Sequence, residues 1–143
     1  MDNELIFLPV IVQIFLTIAL YIKLGKAKSH AIKKGLVDEK RRGLYDDAWP
    51  SQVTQINNAI TNQFQLPILF QLMIIMLWVT QNVTVWVHLF AWLYVASRLV
   101  HAFIHTGSND TPLRRNSFMV SCVFLLGITL ILFVSIASTL FVS

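Results

Sequence analysis

Residues 83–104 read VTVWVHLFAWLYVASRLVHAFI, an apolar run that carries Arg98 and His101 and is followed at once by His105. A hydrocarbon core about 30 Å thick takes about 20 helical residues, so this stretch has the length of a membrane-crossing helix. Positions 98, 101 and 105 stand at i, i+3 and i+7, which puts all three side chains on one helical face. Lipid does not tolerate such a stripe. The face has to turn toward a protein interior, a partner subunit or a polar ligand.

Working outward, three further segments have the same apolar character: 5–24, 66–79 extended backward by a polar turn or two, and 118–142. The chain has 143 residues, of which 56% are hydrophobic and only 13% charged, with a mean hydropathy of +0.66. That lies outside the range of a soluble globular domain. The expected fold is all-α: an integral membrane four-helix bundle with helices at 5–27, 51–80, 83–106 and 112–142, a single domain over 1–143. The first segment opens on the acidic Asp2 and Glu4, and no small-x-small site precedes its lysine cluster, so it reads as a retained helix and not as a leader.

Charge is distributed unevenly. Lys23, Lys26, Lys28, Lys33, Lys34, Lys40, Arg41 and Arg42 fall in the first loop and its approach, Arg114 and Arg115 in the third, and none in the second loop or at the termini. The positive-inside rule then predicts both termini outside and loops one and three in the cytoplasm. Topogenic and lipid-headgroup roles account for these bases more simply than nucleic acid does. Cys122 lies within the fourth apolar stretch, where a thiol serves as a small packing group.

The second helix starts after Pro50, with Ser51 as its cap, and its opening turns are rich in amides, including Asn58, Asn62, Gln63 and Gln65. Pro67 removes a backbone donor and predicts a bend where polar gives way to apolar sequence. Loop three ends Asn109-Asp110-Thr111-Pro112-Leu113-Arg114-Arg115. Asp110 or Thr111 as N-cap, with Pro112 at the first helical position, is a helix start. Two cations follow where the helix dipole already presents partial positive charge, an arrangement suited to an anion.

At a rise of about 1.5 Å per residue Arg98 lies roughly 24 Å from Asn82, near the cytoplasmic side of the core. Amides of helix two, the Arg98/His101/His105 face of helix three and Arg114/Arg115 of helix four therefore converge on one depth. Guanidinium groups suit carboxylates and amides suit peptide groups, which points to an anionic, peptide-like ligand. Singly, each residue has a plainer use: Arg98 as a snorkelling cation, the histidines as packing groups, the amides as interhelical hydrogen-bonding groups, Arg114 and Arg115 as headgroup contacts. Two histidines without a third His, Cys or carboxylate at ligand spacing do not make a metal site.

Ser97-Arg98-Leu99-Val100-His101, then Gly107 and Pro112-Leu113-Arg114, resembles the third-helix, loop and fourth-helix signature of the membrane-associated proteins in eicosanoid and glutathione metabolism, the MAPEG family. Asn62-Gln63-Phe64-Gln65-Leu66-Pro67 is similar to that family's second-helix motif of Asn, an acid three positions on, and Pro. The resemblance implies a homotrimer in the lipid bilayer with glutathione as cosubstrate, bound between neighbours at the cytoplasmic end. It places Arg114 as the group that activates the thiol. Arg98, His101, Asn62, Gln65, Asn58 and His105 then stand as the surrounding binding residues, with no metal.

Three positions depart from the family pattern: Gln65 stands in place of the acid, and His105 and Phe118 in place of tyrosines. The implied activity is a glutathione transferase or peroxidase acting on small lipophilic electrophiles. The alternative is a non-catalytic membrane binding or scaffold protein of the same fold. A transporter or channel is disfavoured, because the outer halves of the helices are almost wholly apolar.

Overall fold

The computed structural model describes residues 3–142, with side chains through residue 138, so Asp2 lies outside the described residues. A 3-10 turn at Asn3–Ile6 leads into α1 (Phe7–Lys33). Then follow α2 (Ser51–Thr61), a 3-10 turn at Asn62–Phe64, α3 (Leu66–Val79), α4 (Val85–Thr106) and α5 (Thr111–Val142). Four spans are long and apolar enough to cross a membrane: Asn3–Lys33, Ser51–Val79, Val85–Thr106 and Thr111–Ser138. The protein is an integral, multi-pass membrane protein.

Two elements differ from their expected outlines. The first helix runs to Lys33, beyond residue 27, carrying its lysines out on a continuous helix. It stops where Gly35 adopts φ +64, with Leu36 N donating to Ala31 O (3.0 Å) and Gly35 N to Ile32 O (3.0 Å). That paired closure needs a left-handed residue, which glycine supplies without steric cost.

The second span is broken, not merely bent. A proline ring collides with the carbonyl four residues earlier, here that of Gln63, so the helix gives way ahead of Pro67. Its residues 62–64 tighten to 3-10 geometry and Gln65 leaves helical space at φ −104, ψ −107.

Helices α4 and α5 form the most extensive pair, α1 rests on α2 and α4, and α3 rests on α5. Gly127 lets α5 approach α4 closely, since a Cβ there would come within 3.2 Å of the Phe90 ring. Two apolar clusters result. One joins Ile6, Phe70, Ile74, Leu77, Val87, Ala91, Tyr94 and Ile128 at the end away from loops one and three. The other joins Leu20, Leu24 and Ala31 of α1 to Val53, Ile56, Ala59 and Ile60 of α2, at the end that bears the basic loops.

On each of the four spans a buried polar residue falls between the two clusters or just beside them: Gln13 on α1, Gln63 at the break, Arg98 and His101 on α4, Ser121 on α5. Gln13 Nε2 donates to Gln63 Oε1 at 2.6 Å, tying α1 to the broken segment. Gln63 Nε2 in turn donates to Ala59 O at 3.3 Å, so the pair holds the last turn of α2 against the break.

Candidate functional site

Arg98 is 0% exposed, although it is the longest cation on α4. Its Nη2 donates to the carbonyl of Asn62 at 3.2 Å, and its guanidinium lies 5.9 Å from the centre of the Phe118 ring. In an unbroken helix the Asn62 carbonyl would take the amide of residue 66; the break presents it to α4 instead. The remaining Arg98 donors, Nε and Nη1, are buried without a hydrogen-bond partner among the described residues. A buried cation of this kind is retained where something anionic meets it, because an uncompensated charge is costly to desolvate.

Next to it opens a pocket of about 420 Å³. Asn62 and Gln65 from the broken span line one wall; His101 of α4 and Thr111, Arg114, Arg115 and Phe118 of α5 line the others. Arg98 sits directly behind two of these residues, Asn62 and Phe118.

The start of α5 is built by local sequence. Asp110 Oδ1 accepts the amide of Leu113 at 2.9 Å, so Asp110 is the cap, and Pro112 occupies the second helical position, one later than expected. Capping here aims Arg114 and Arg115 from the first turn into the pocket. Arg114 Nη1 donates to Asn109 Oδ1, a neutral acceptor, and among the described residues neither it, Arg98 nor Arg115 pairs with a carboxylate. Both carboxylate pairs, Arg41 with Asp47 and Arg42 with Glu39, lie in loop one.

His101 Nδ1 donates to the carbonyl of Arg114 at 3.0 Å and lies 3.3 Å from Ser117 Oγ. Bonding through Nδ1 leaves Nε2 as the free, acceptor-capable nitrogen, and Nε2 is buried without a partner. The imidazole thus fixes the first turn of α5 relative to α4. His105 stands edge-on to His101, ring centres 5.6 Å apart, buried outside the pocket lining. Asn58 lies about one turn nearer the basic loops on α2, exposed and also outside the lining. Of the sequence candidates, then, Asn62, Gln65, His101 and Arg114 share one cavity, Arg98 backs it, and Asn58 and His105 stand apart.

The sequence profile of the MAPEG family matches residues 6–134, nearly the whole chain. The protein belongs to the MAPEG family. No curated protein and no solved structure matches it.

Within this MAPEG protein Asn62 opens the 3-10 turn and Gln65 follows directly after it, and both reach the pocket. Thr111 and Phe118 belong to the lining although only their capping and replacement roles stood out in sequence. The Gln13–Gln63 pair had no local signal, since its partners are 50 residues apart.

Proposed function

We propose that this protein binds glutathione, or a thiol of the same anionic peptide chemistry, in the pocket formed by Asn62, Gln65, His101, Arg114, Arg115 and Phe118. We further propose that it transfers the thiol to lipophilic electrophiles arriving from the bilayer. The observation that supports this most is the buried guanidinium of Arg98, with two donors unused and no carboxylate partner among the described residues, behind a cavity whose rim carries two more arginines without carboxylate partners. Three cations and two amides match a ligand with two carboxylates and two peptide bonds.

In this reading Arg115 holds a carboxylate, Arg98 adds its positive charge from behind Asn62 and Phe118, Asn62 and Gln65 hold peptide groups, and Arg114 faces the sulfur. A thiol with its ordinary pKa near 8.5 is mostly protonated at neutral pH, and a nearby guanidinium favours the thiolate that acts as nucleophile. The thiolate attacks the electrophilic carbon, a carbon–sulfur bond forms, and the leaving group departs with its electron pair. Binding at a shared interface in a homotrimer, with the basic loops in the cytoplasm, completes the proposal.

Turnover of 1-chloro-2,4-dinitrobenzene with glutathione by the purified protein, followed by absorbance, tests it. Wild type turns over and Arg114→Ala loses about a hundredfold in kcat/KM, the size expected for one preorganised donor at a developing charge. Saturable glutathione binding without any turnover would instead favour the scaffold reading, which Gln65 in place of an acid allows.

A further inference from the structure

On the face of α4 turned away from the site, residues 99–106 form an apolar groove with α1, about 480 Å³ in volume, walled by Leu16, Leu20, Leu99, Val100 and Phe103. It closes toward the basic loops at Thr106, the last residue of α4. There Lys23 Nζ donates to Thr106 O (3.1 Å) and to Thr106 Oγ1 (2.8 Å). An ammonium carries three protons, so one remains.

Lys23 also lines a second cavity, of about 380 Å³, together with Lys26, His30 and Gln52. On α1 positions 16, 20, 23 and 27 recur at helical spacing, so groove and basic cavity follow one continuous face. The apolar part lies at hydrocarbon depth and the cations at its end. No acid lines either cavity.

We propose that an anionic phospholipid occupies this surface, with an acyl chain along the α1/α4 groove and its phosphate held by Lys23 and Lys26. The shape asks for an occupant that is apolar along two helical turns and anionic at one end. Lys26 is exposed and makes no hydrogen bond or ion pair among the described residues, and Lys23 is preorganised by Thr106 with a donor to spare. A second copy of this chain fits the cations poorly. Of its described acids Glu4 is remote from this end, Asp47 and Glu39 pair with Arg41 and Arg42 of the same loop, and Asp110 caps α5, so the faces of its membrane helices bring no carboxylate to the groove. Basic pockets between membrane helices hold lipid phosphates for the same electrostatic reason.

Native mass spectrometry of the full-length protein, released from micelles containing equal dioleoyl phosphatidylglycerol and dioleoyl phosphatidylcholine, reads the preference directly. One phosphatidylglycerol per chain is expected to survive release, ahead of phosphatidylcholine. Lys26→Gln, which breaks no internal bond, should weaken retention about fivefold, and Lys23→Gln combined with it roughly twenty-five-fold. Lys33→Gln/Lys34→Gln, charges outside the cavity, should leave retention unchanged.

Equal retention of the two lipids, or full retention by the Lys23→Gln/Lys26→Gln protein, overturns the proposal. So does displacement by glycerol phosphate alone, which would mark a soluble-anion site. In a Cys122→Ser background, rapid disulfide linkage of Val100→Cys between copies would show a second copy in the groove and overturn it as well.

Discussion

The two ends of this bundle are made from the same four spans and could hardly be finished more differently. Away from the basic loops, Phe70 stacks on Tyr94 at 4.4 Å between ring centres, and Ile74, Leu77, Val87 and Ile128 are fully buried. Near the basic loops, the second span is broken, Arg98 is buried with two idle donors, and His101 keeps Nε2 unpaired. Packing density in the first region stabilises the fold; unmet hydrogen-bonding capacity in the second is what a ligand can use. Unsatisfied buried polar groups are rare in folded proteins; Tyr94 OH and His88 Nε2 are such groups at the apolar end, but the charged one, Arg98 with Nε and Nη1, stands at the basic end together with His101 Nε2 beside the cavity.

The largest effect should come from the apolar end. Phe70→Ala empties a fully buried aromatic site and is expected to cost about 3 kcal/mol of stability. Glutathione affinity of the fraction that remains folded should be unchanged. Unfolding monitored by circular dichroism alongside calorimetric titration checks both halves; loss of affinity in the folded fraction would mean the two regions are not separable.

Arg114→Ala should behave in the opposite way, keeping stability and losing about a hundredfold in kcat/KM. Arg98→Met sharpens the contrast further. Removing an unpaired buried cation should raise the stability of the ligand-free protein by about 1 kcal/mol while abolishing measurable glutathione binding. A drop in Tm without ligand would show that Arg98 is held by structure and not by what binds there.

The smallest effect concerns the latch between the regions. Gln13→Leu should cost about 1 kcal/mol, the usual worth of a hydrogen bond between membrane helices. Gln13→Leu/Gln63→Leu should recover much of it, since neither amide is then stranded. Thermal unfolding of wild type, Gln13→Leu, Gln63→Leu and the double variant measures the coupling.

How much of this was legible beforehand follows from the range of each interaction. The four spans were, because hydropathy is local and the bilayer fixes the length of each. So was the burial of Arg98 and His101, since a cationic stripe in an apolar run leaves few alternatives. Pro67 announced a disturbance but not its place, because a proline acts on the carbonyl four residues before it, which moved the break to residues 62–65. That shift brings Asn62 and Gln65 to the pocket while Asn58 stays outside its lining.

The sequence places the end of the first helix near residue 27; only the left-handed turn at Gly35 shows that α1 runs on to Lys33. The bond from Gln13 to Gln63 and the position of Phe118 against Arg98 depend on how the helices lie side by side. No single stretch of sequence encodes that.

The central claim is that the arginine-rich cavity at the basic end stabilises a thiolate. Ultraviolet difference absorbance in the thiolate band, with glutathione titrated onto wild type and Arg114→Ala in detergent at neutral pH, measures this directly. A saturable thiolate signal in wild type that vanishes in Arg114→Ala is the expected result. Equal signals from the two proteins, or none from either at saturating glutathione, would contradict it.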